Sequence, residues 1–219
     1  GEESVNSLLT KKLVSFVKGL DPARPITAGC NEPNSGNHLF RSGVLDVIGY
    51  NYHNKDIPNV PANFPDKPFI ITESNSALMT RGYYRMPSDR MFIWPERWDK
   101  SFADSTFACS SYENCHVPWG NTHEESLKLV RDNDFISGQY VWTGFDYIGE
   151  PTPYGWPARS SYFGIVDLAG FPKDVYYLYQ SEWTDKQMLH LFPHWNWTPG
   201  QEIDCLLYTS DAADEARSV

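Results

Sequence analysis

The segment Pro68-Phe69-Ile70-Ile71-Thr72-Glu73-Ser74 is a short apolar, β-branched run that stops on a carboxylate. A run of that length and composition reads as a buried strand. Its last residue, Glu73, is then an acid delivered to a cleft at a strand end. Most carboxylate chemistry needs a second acid, so the residues around Glu73 decide what the chain can do.

The rest of the chain supplies a frame for that strand. Val5, Leu8, Leu9, Leu13, Phe16, Val17 and Leu20 recur at helical spacing, which predicts an amphipathic helix over residues 4–20 ended by Gly19 and Asp21-Pro22. Strands are expected at Pro25–Gly29, Asp46–Tyr52, Phe69–Glu73 and Gly138–Trp142, with helices at Glu124–Asn133 and near Val175–Tyr179. Strands alternating with helices predict βαβ units and a parallel sheet. Only four barrel-type strands can be counted, whereas an eight-stranded barrel takes about 250 residues. The expected fold is therefore α/β: the C-terminal half, strands five to eight, of a TIM (β/α)8 barrel over residues 1–186. After Trp183 the pattern changes, and residues 187–204 read as the start of a following β-sandwich domain. Gly1-Glu2-Glu3-Ser4 has no initiator Met and does not read as a signal peptide, so the chain is expected to begin within a longer protein. The compartment is left open.

The connection from Ser74 to Thr122 is far longer than the usual few residues. It carries Tyr83, Tyr84, Trp94, Trp98, Tyr112 and Trp119, a composition too aromatic for disorder, and is expected to be an ordered wall around the cleft. The chain holds 8 Trp, 13 Tyr and 12 Phe, which either fill cores or make flat platforms for sugar rings. A net charge of −10 offers no basic patch to a phosphate backbone, so no nucleic-acid partner is expected. No apolar run approaches about 18 residues, so no membrane span is expected. Cys30, Cys109, Cys115 and Cys205 fit no zinc spacing; Cys109 and Cys115 form either a small loop disulfide or two thiols.

Four segments make a specific resemblance. They are Asp46–Tyr52, Ile71-Thr72-Glu73, Val141–Pro151 and Ser160–Gly170. With the His194-Trp195-Asn196-Trp197 segment, they are similar, over about residues 5–204, to the C-terminal half of the catalytic barrel of glycoside hydrolase family 2, and within it the β-galactosidases. The resemblance implies a retaining glycosidase that releases terminal β-galactosyl residues, with an oligosaccharide or glycoside as partner. That chemistry uses two carboxyls about 5–5.5 Å apart. Glu73 matches the nucleophile, and Tyr52 matches a Tyr that hydrogen-bonds it, with Tyr50 the alternative two residues earlier. Trp142 matches a sugar-stacking Trp. Asp146 either binds sugar hydroxyls or fixes its loop, and Glu150 is equally open. Asn51 and His53 contact sugar or loop, His53 with a plain structural role as the alternative. Asn31-Glu32 imitates the family's Asn-Glu proton-donor pair, but it follows the expected fifth strand, so Glu32 is not assigned that role. The donor is expected upstream, and the 219-residue chain alone is expected to be inactive. No cofactor is expected; the family allows Mg²⁺ or Na⁺, but no ligands can be assigned. Oligomeric state is open.

Two other readings are kept. The first is β-glucuronidase or another β-glycosidase of the same family. Its glucuronidases carry Asn-x-Lys where this chain has Ser161-Tyr162-Phe163, which argues against an acidic sugar. The second is a non-catalytic carbohydrate-binding barrel, against which stands the intact strand end at Glu73. Residues 205–219, from Cys205-Leu206-Leu207-Tyr208 onward, resemble the translation of a sequencing adapter and are expected to be non-native.

Overall fold

The computed structural model describes residues 4–210. Its described residues divide into two compact units, 4–74 with 126–141 and 75–125 with 142–210. In chain order the elements are α1 (Val5–Leu20), α2 (His38–Arg41), β1 (Ile48–Asn51), a 3₁₀ turn (Ile57–Asn59), α3 (Val60–Asn63), β2 (Phe69–Asn75), β3 (Phe92–Ile93), β4 (Cys115–His116), α4 (His123–Arg131), β5 (Ile136–Trp142), α5 (Asp174–Trp183), β6 (Leu189–Phe192) and β7 (Leu206–Thr209). Among the described residues, no helix is long and apolar enough to cross a membrane.

The first unit is built on a sheet with strand order β1-β2-β5. β1 and β2 are parallel, with Ile48 opposite Phe69 and Tyr50 opposite Ile71. Tyr50, Phe69 and Ile71 are wholly buried in a core with Ile48, Ile57, Val60, Phe40 and Ile136. Tyr50 meets Phe69 edge to face, ring centroids 5.1 Å apart, the arrangement favoured by the aromatic quadrupole.

The expected strand at Pro25–Gly29 is not formed, although Ile26 and Ala28 pack against the core. The Asp46 carboxylate takes the Ile26 N–H at 2.8 Å, where a ladder carbonyl would stand. The N–H groups of Asp46 and Val47 both converge on the Ile26 carbonyl. One carbonyl serving two donors, beside a side chain serving as acceptor, leaves no ladder.

α1 forms where its periodicity predicts, with Ser4 as N-cap accepting from the Ser7 N–H, the usual role of a serine there. Its apolar stripe does not face the core. Val5, Leu8, Leu9, Leu13, Phe16, Val17 and Leu20 are 44–79% exposed, while Ser7 and Thr10 are buried. The Ser7 hydroxyl donates to the His38 carbonyl on α2, and Val14 packs on the core. Periodicity settles which residues share a face, not which face is covered.

In the second unit, the long connection is ordered around a core of its own. Leu78, Phe92, Trp94, Cys109, Cys115, Val117, Tyr154 and Phe163 form it, and β3 and β4 pair in parallel across it. Cys109 and Cys115 take the thiol alternative: both are buried and in hydrogen-bond contact, and burial pushes the Cys109 thiol up. β6 and β7 are antiparallel, Leu189 opposite Thr209 and Phe192 opposite Leu206. β7 thus lies within the stretch that the adapter resemblance sets aside; residues 211–219 of that stretch lie outside the described residues.

α4 starts on a buried acid. Glu113 accepts from the backbone N–H groups of His123 and Glu124, an interaction that the helix N-terminus favours for an anion. Burial outweighs those bonds and pushes the Glu113 carboxyl from 4.5 up to about 8. Beside it, burial pushes the His123 imidazole from 6.5 down to about 3, and its Nδ1 lies 2.7 Å from the Tyr179 hydroxyl.

These shifts set a pH dependence. Between about 4.5 and 8 the folded state keeps a proton on Glu113 that the unfolded chain releases, so stability falls as pH rises. His123 acts oppositely, adding stability as pH rises from about 3 to 6.5 and nothing further above. From pH 6.5 to 8, therefore, the Glu113 slope stands alone within this pair. Urea unfolding of the protein that carries this sequence should show a loss of about 2 kcal/mol over that window. Glu113→Gln should flatten it, and an unchanged slope in that variant would place the titration elsewhere.

Candidate active site

Strict alternation along β2 would send Glu73 the same way as Phe69 and Ile71, into the core. It does not go there. Between Tyr50 and Asn51 the β1–β2 register shifts, so that Tyr50 faces Ile71 but Asn51 faces Glu73. Thr72 is the extra residue. Slips of this kind re-aim side chains and recur beside functional sites. Glu73 is left half-buried, and the Tyr52 hydroxyl donates to its Oε2 at 2.8 Å. The Tyr52 backbone N–H also donates to the Glu73 carbonyl, at 2.6 Å.

Of the two tyrosines on β1 and its end, it is therefore Tyr52 that meets the acid. Tyr50 lies in the core, with its hydroxyl 3.4 Å from the Pro33 carbonyl. Tyr52 and His53 both adopt left-handed backbone, φ +57° and +59°, which is uncommon for residues with side chains and turns the chain sharply as the strand ends. Asn51 accepts from the Thr72 hydroxyl at 2.6 Å. His53 is partly exposed with Nδ1 3.5 Å from Asp56, an arrangement within its own turn. Glu32 sits on an exposed loop.

Trp142 and Asp146 belong to the second unit. Trp142 is half-buried, meets Tyr147 edge to face at 6.0 Å and precedes a cis peptide bond to Thr143. Asp146 has the partners of a loop-fixing residue. It pairs with Lys173 at 2.8 Å, accepts from the Gly164 N–H at 2.8 Å, and both side chains of the pair are nearly inaccessible. Burial pushes the Asp146 carboxyl up and the Lys173 ammonium down, and the contact between them opposes both. Lys173 also donates to the carbonyls of Met79 and Tyr162, tying three loops together. Glu150 is exposed and accepts from the Tyr147 hydroxyl.

Thr72 and Lys173 are the residues that sequence reasoning misses. The signal for the first was Gly49, since a glycine inside a strand marks a bulge or a close backbone approach. Nothing in the sequence marks Lys173. Among the described residues, no three His, Cys, Asp or Glu side chains gather as a metal site.

No family model matches the chain. It is 95% identical over 212 residues, 97% of its length, to a β-galactosidase of Bacteroides ovatus, of which it spans 25%. It is 32% identical over 214 residues to a protein of Formosa agariphila named as a candidate β-glucuronidase, covering 87% of this chain and 19% of that one. Among solved structures, a β-glycosidase from Bacteroides vulgatus superposes with a TM-score of 0.74 at 33% identity, covering 92% of this chain and 27% of that one. The chain thus spans a fifth to a quarter of the curated relatives it matches, consistent with a partial domain of a larger protein.

Removing Lys173 should be costly, because it strands a buried carboxylate and two carbonyls. Lys173→Met is expected to destabilise by about 3–5 kcal/mol, and adding Asp146→Asn should recover part of the loss. Denaturant midpoints of the single and double variants check this; a single variant within about 0.5 kcal/mol of wild type would contradict it.

Proposed function

We infer, from a chain that belongs with the β-galactosidase-like glycoside hydrolases of family 2, that it supplies the nucleophile of a retaining enzyme acting on terminal β-galactosides. The observation that carries the reading is the 2.8 Å hydrogen bond from Tyr52 to Glu73, just past the register slip in β2. A phenol donating to one carboxylate oxygen fixes the direction of the other. In the proposed mechanism that second oxygen attacks the anomeric carbon. The glycosidic bond breaks, and the aglycone leaves with a proton from a second carboxylic acid. The same group then deprotonates water, which releases the sugar from Glu73 with net retention. The second acid is not assigned to a residue of this chain. Trp142, as a sugar platform, and Asn51 and His53, as sugar contacts, stay part of the proposal on the family resemblance, as does chemistry without a cofactor.

We further propose that the first unit belongs to the second half of a TIM barrel. The exposed stripe on α1 supports this: seven apolar side chains at 44–79% exposure make a patch of the kind that is normally covered. Earlier barrel elements of the same protein are the proposed cover. The β-sandwich proposed to follow would begin at β6, Leu189–Phe192; β7 lends it no support, because it lies in the stretch expected to be non-native.

A neutral sugar is favoured over a uronic acid. Ser161 and Phe163 stand where the family's glucuronidases have Asn and Lys, and they are 2% and 1% exposed. Phe163 lies in the core of the second unit, and Ser161 accepts the Tyr147 N–H. Neither offers a cation to a sugar carboxylate. The near identity to a β-galactosidase points the same way.

In the full-length enzyme that carries this chain, nitrophenyl β-galactoside should be turned over in preference to the glucuronide. Glu73→Gln should lower kcat by about three orders of magnitude or more without loss of fold. Preferential turnover of the glucuronide would overturn the substrate reading, and an active Glu73→Gln variant would overturn the nucleophile.

A further inference from the structure

The register slip that frees Glu73 from the core has a built device behind it. Thr72, the residue β2 gains at the slip, donates its hydroxyl to Asn51 Oδ1 at 2.6 Å across the two strands. Two glycines make room for this pair. A Cβ on Gly49 would lie 2.8 Å from the Thr72 methyl carbon, 2.6 Å from the Ala28 carbonyl oxygen and 2.7 Å from the Thr27 hydroxyl. A Cβ on Gly29 would lie 2.8 Å from Asn51 Oδ1 and 3.2 Å from its Nδ2. Heavy atoms do not approach a Cβ so closely, so the Thr72 methyl and the Asn51 amide each occupy space that only glycine leaves open.

The next residue on each strand is a member of the proposed site. Tyr52 follows Asn51 and Glu73 follows Thr72, and these two are joined by both a backbone and a side-chain hydrogen bond. Tyr52 must hold a left-handed backbone to make them, a conformation that persists only where the surroundings over-determine it. A cross-strand bond one residue below supplies such a constraint.

We propose that the Thr72–Asn51 hydrogen bond latches the register slip and so positions Glu73 against Tyr52, which makes Thr72 a positioning residue for the reaction. The inference rests on the reading of Glu73 as nucleophile. It assigns Asn51 a duty of its own: with Oδ1 engaged by Thr72, Nδ2 is the group its amide can present elsewhere. It also separates the two halves of the Thr72 side chain. The hydroxyl holds register, and the methyl fills the space above Gly49.

Thr72→Val keeps the shape and replaces the hydroxyl by a methyl, leaving Asn51 Oδ1 without its donor. Thr72→Ser keeps the hydroxyl. With nitrophenyl β-galactoside and the full-length enzyme, Thr72→Val should lose about tenfold to a hundredfold in kcat with KM within about twofold, since small misplacement of a reacting group has effects of that size. Thr72→Ser should stay within about threefold of wild-type kcat. Should the valine variant fail to fold, Thr72→Ala gives the same reading, a kcat loss that the serine variant does not share. A wild-type kcat in Thr72→Val, an equal loss in Thr72→Ser, or an effect confined to KM would each overturn the proposal. Glu73→Gln separates the two readings. If it keeps turnover, the nucleophile assignment fails and the positioning role with it. If it is inactive while Thr72→Val is as fast as wild type, only the positioning role fails.

Discussion

A single step in register between two parallel strands governs what Glu73 can do. In an uninterrupted pair, Glu73 would follow Phe69 and Ile71 into a core where those residues are wholly buried. An unpaired carboxylate there would cost several kcal/mol and would shed its charge instead. With one residue gained at Thr72, Asn51 faces Glu73, and the acid ends half-buried against a phenol. The buried edge-to-face contact of Tyr50 with Phe69 lies below this point. Rigid packing beneath and a turned backbone above leave the carboxylate little choice of direction.

The second unit is held differently. Much of it is irregular chain, so backbone groups that a sheet or helix would satisfy find partners on other loops or on side chains. Buried polar residues serve this need. Lys173 reaches two carbonyls and Asp146, and Glu113 closes the start of α4. Asp174 accepts from the hydroxyls of Ser111 and Tyr84, with His190 Nε2 at 2.8 Å. Such groups stabilise by being fully paired, and removing one partner exposes the full desolvation cost of the others.

What could be read from sequence followed from apolar periodicity, turn residues and the family resemblance. β1, β2, β5 and α4 form near their expected positions because apolar patterning and turn residues agree there. The meeting of Tyr52 with Glu73 was legible from the family resemblance of their two segments, although β2 runs on past Glu73 to Asn75. The strand at Pro25–Gly29 was not foreseeably absent, since the intruding Asp46 carboxylate comes from a residue 20 positions away. The α1 stripe was legible as a stripe, but its exposure depends on what covers it. Lys173, the partner of Asp146, lies 27 positions further along the chain, and no local pattern connects the two. The register slip left only a glycine as its trace.

The account stands on Glu73 forming a bond to sugar carbon. Treatment of the full-length enzyme with a 2-deoxy-2-fluoro-β-galactosyl fluoride, followed by digestion and mass spectrometry, tests it directly. The slow-turnover sugar should add to the peptide containing residues 68–75, with fragmentation placing it on Glu73. A label on another carboxylate, or active enzyme that hydrolyses galactosides with inversion and takes no label, would contradict the account.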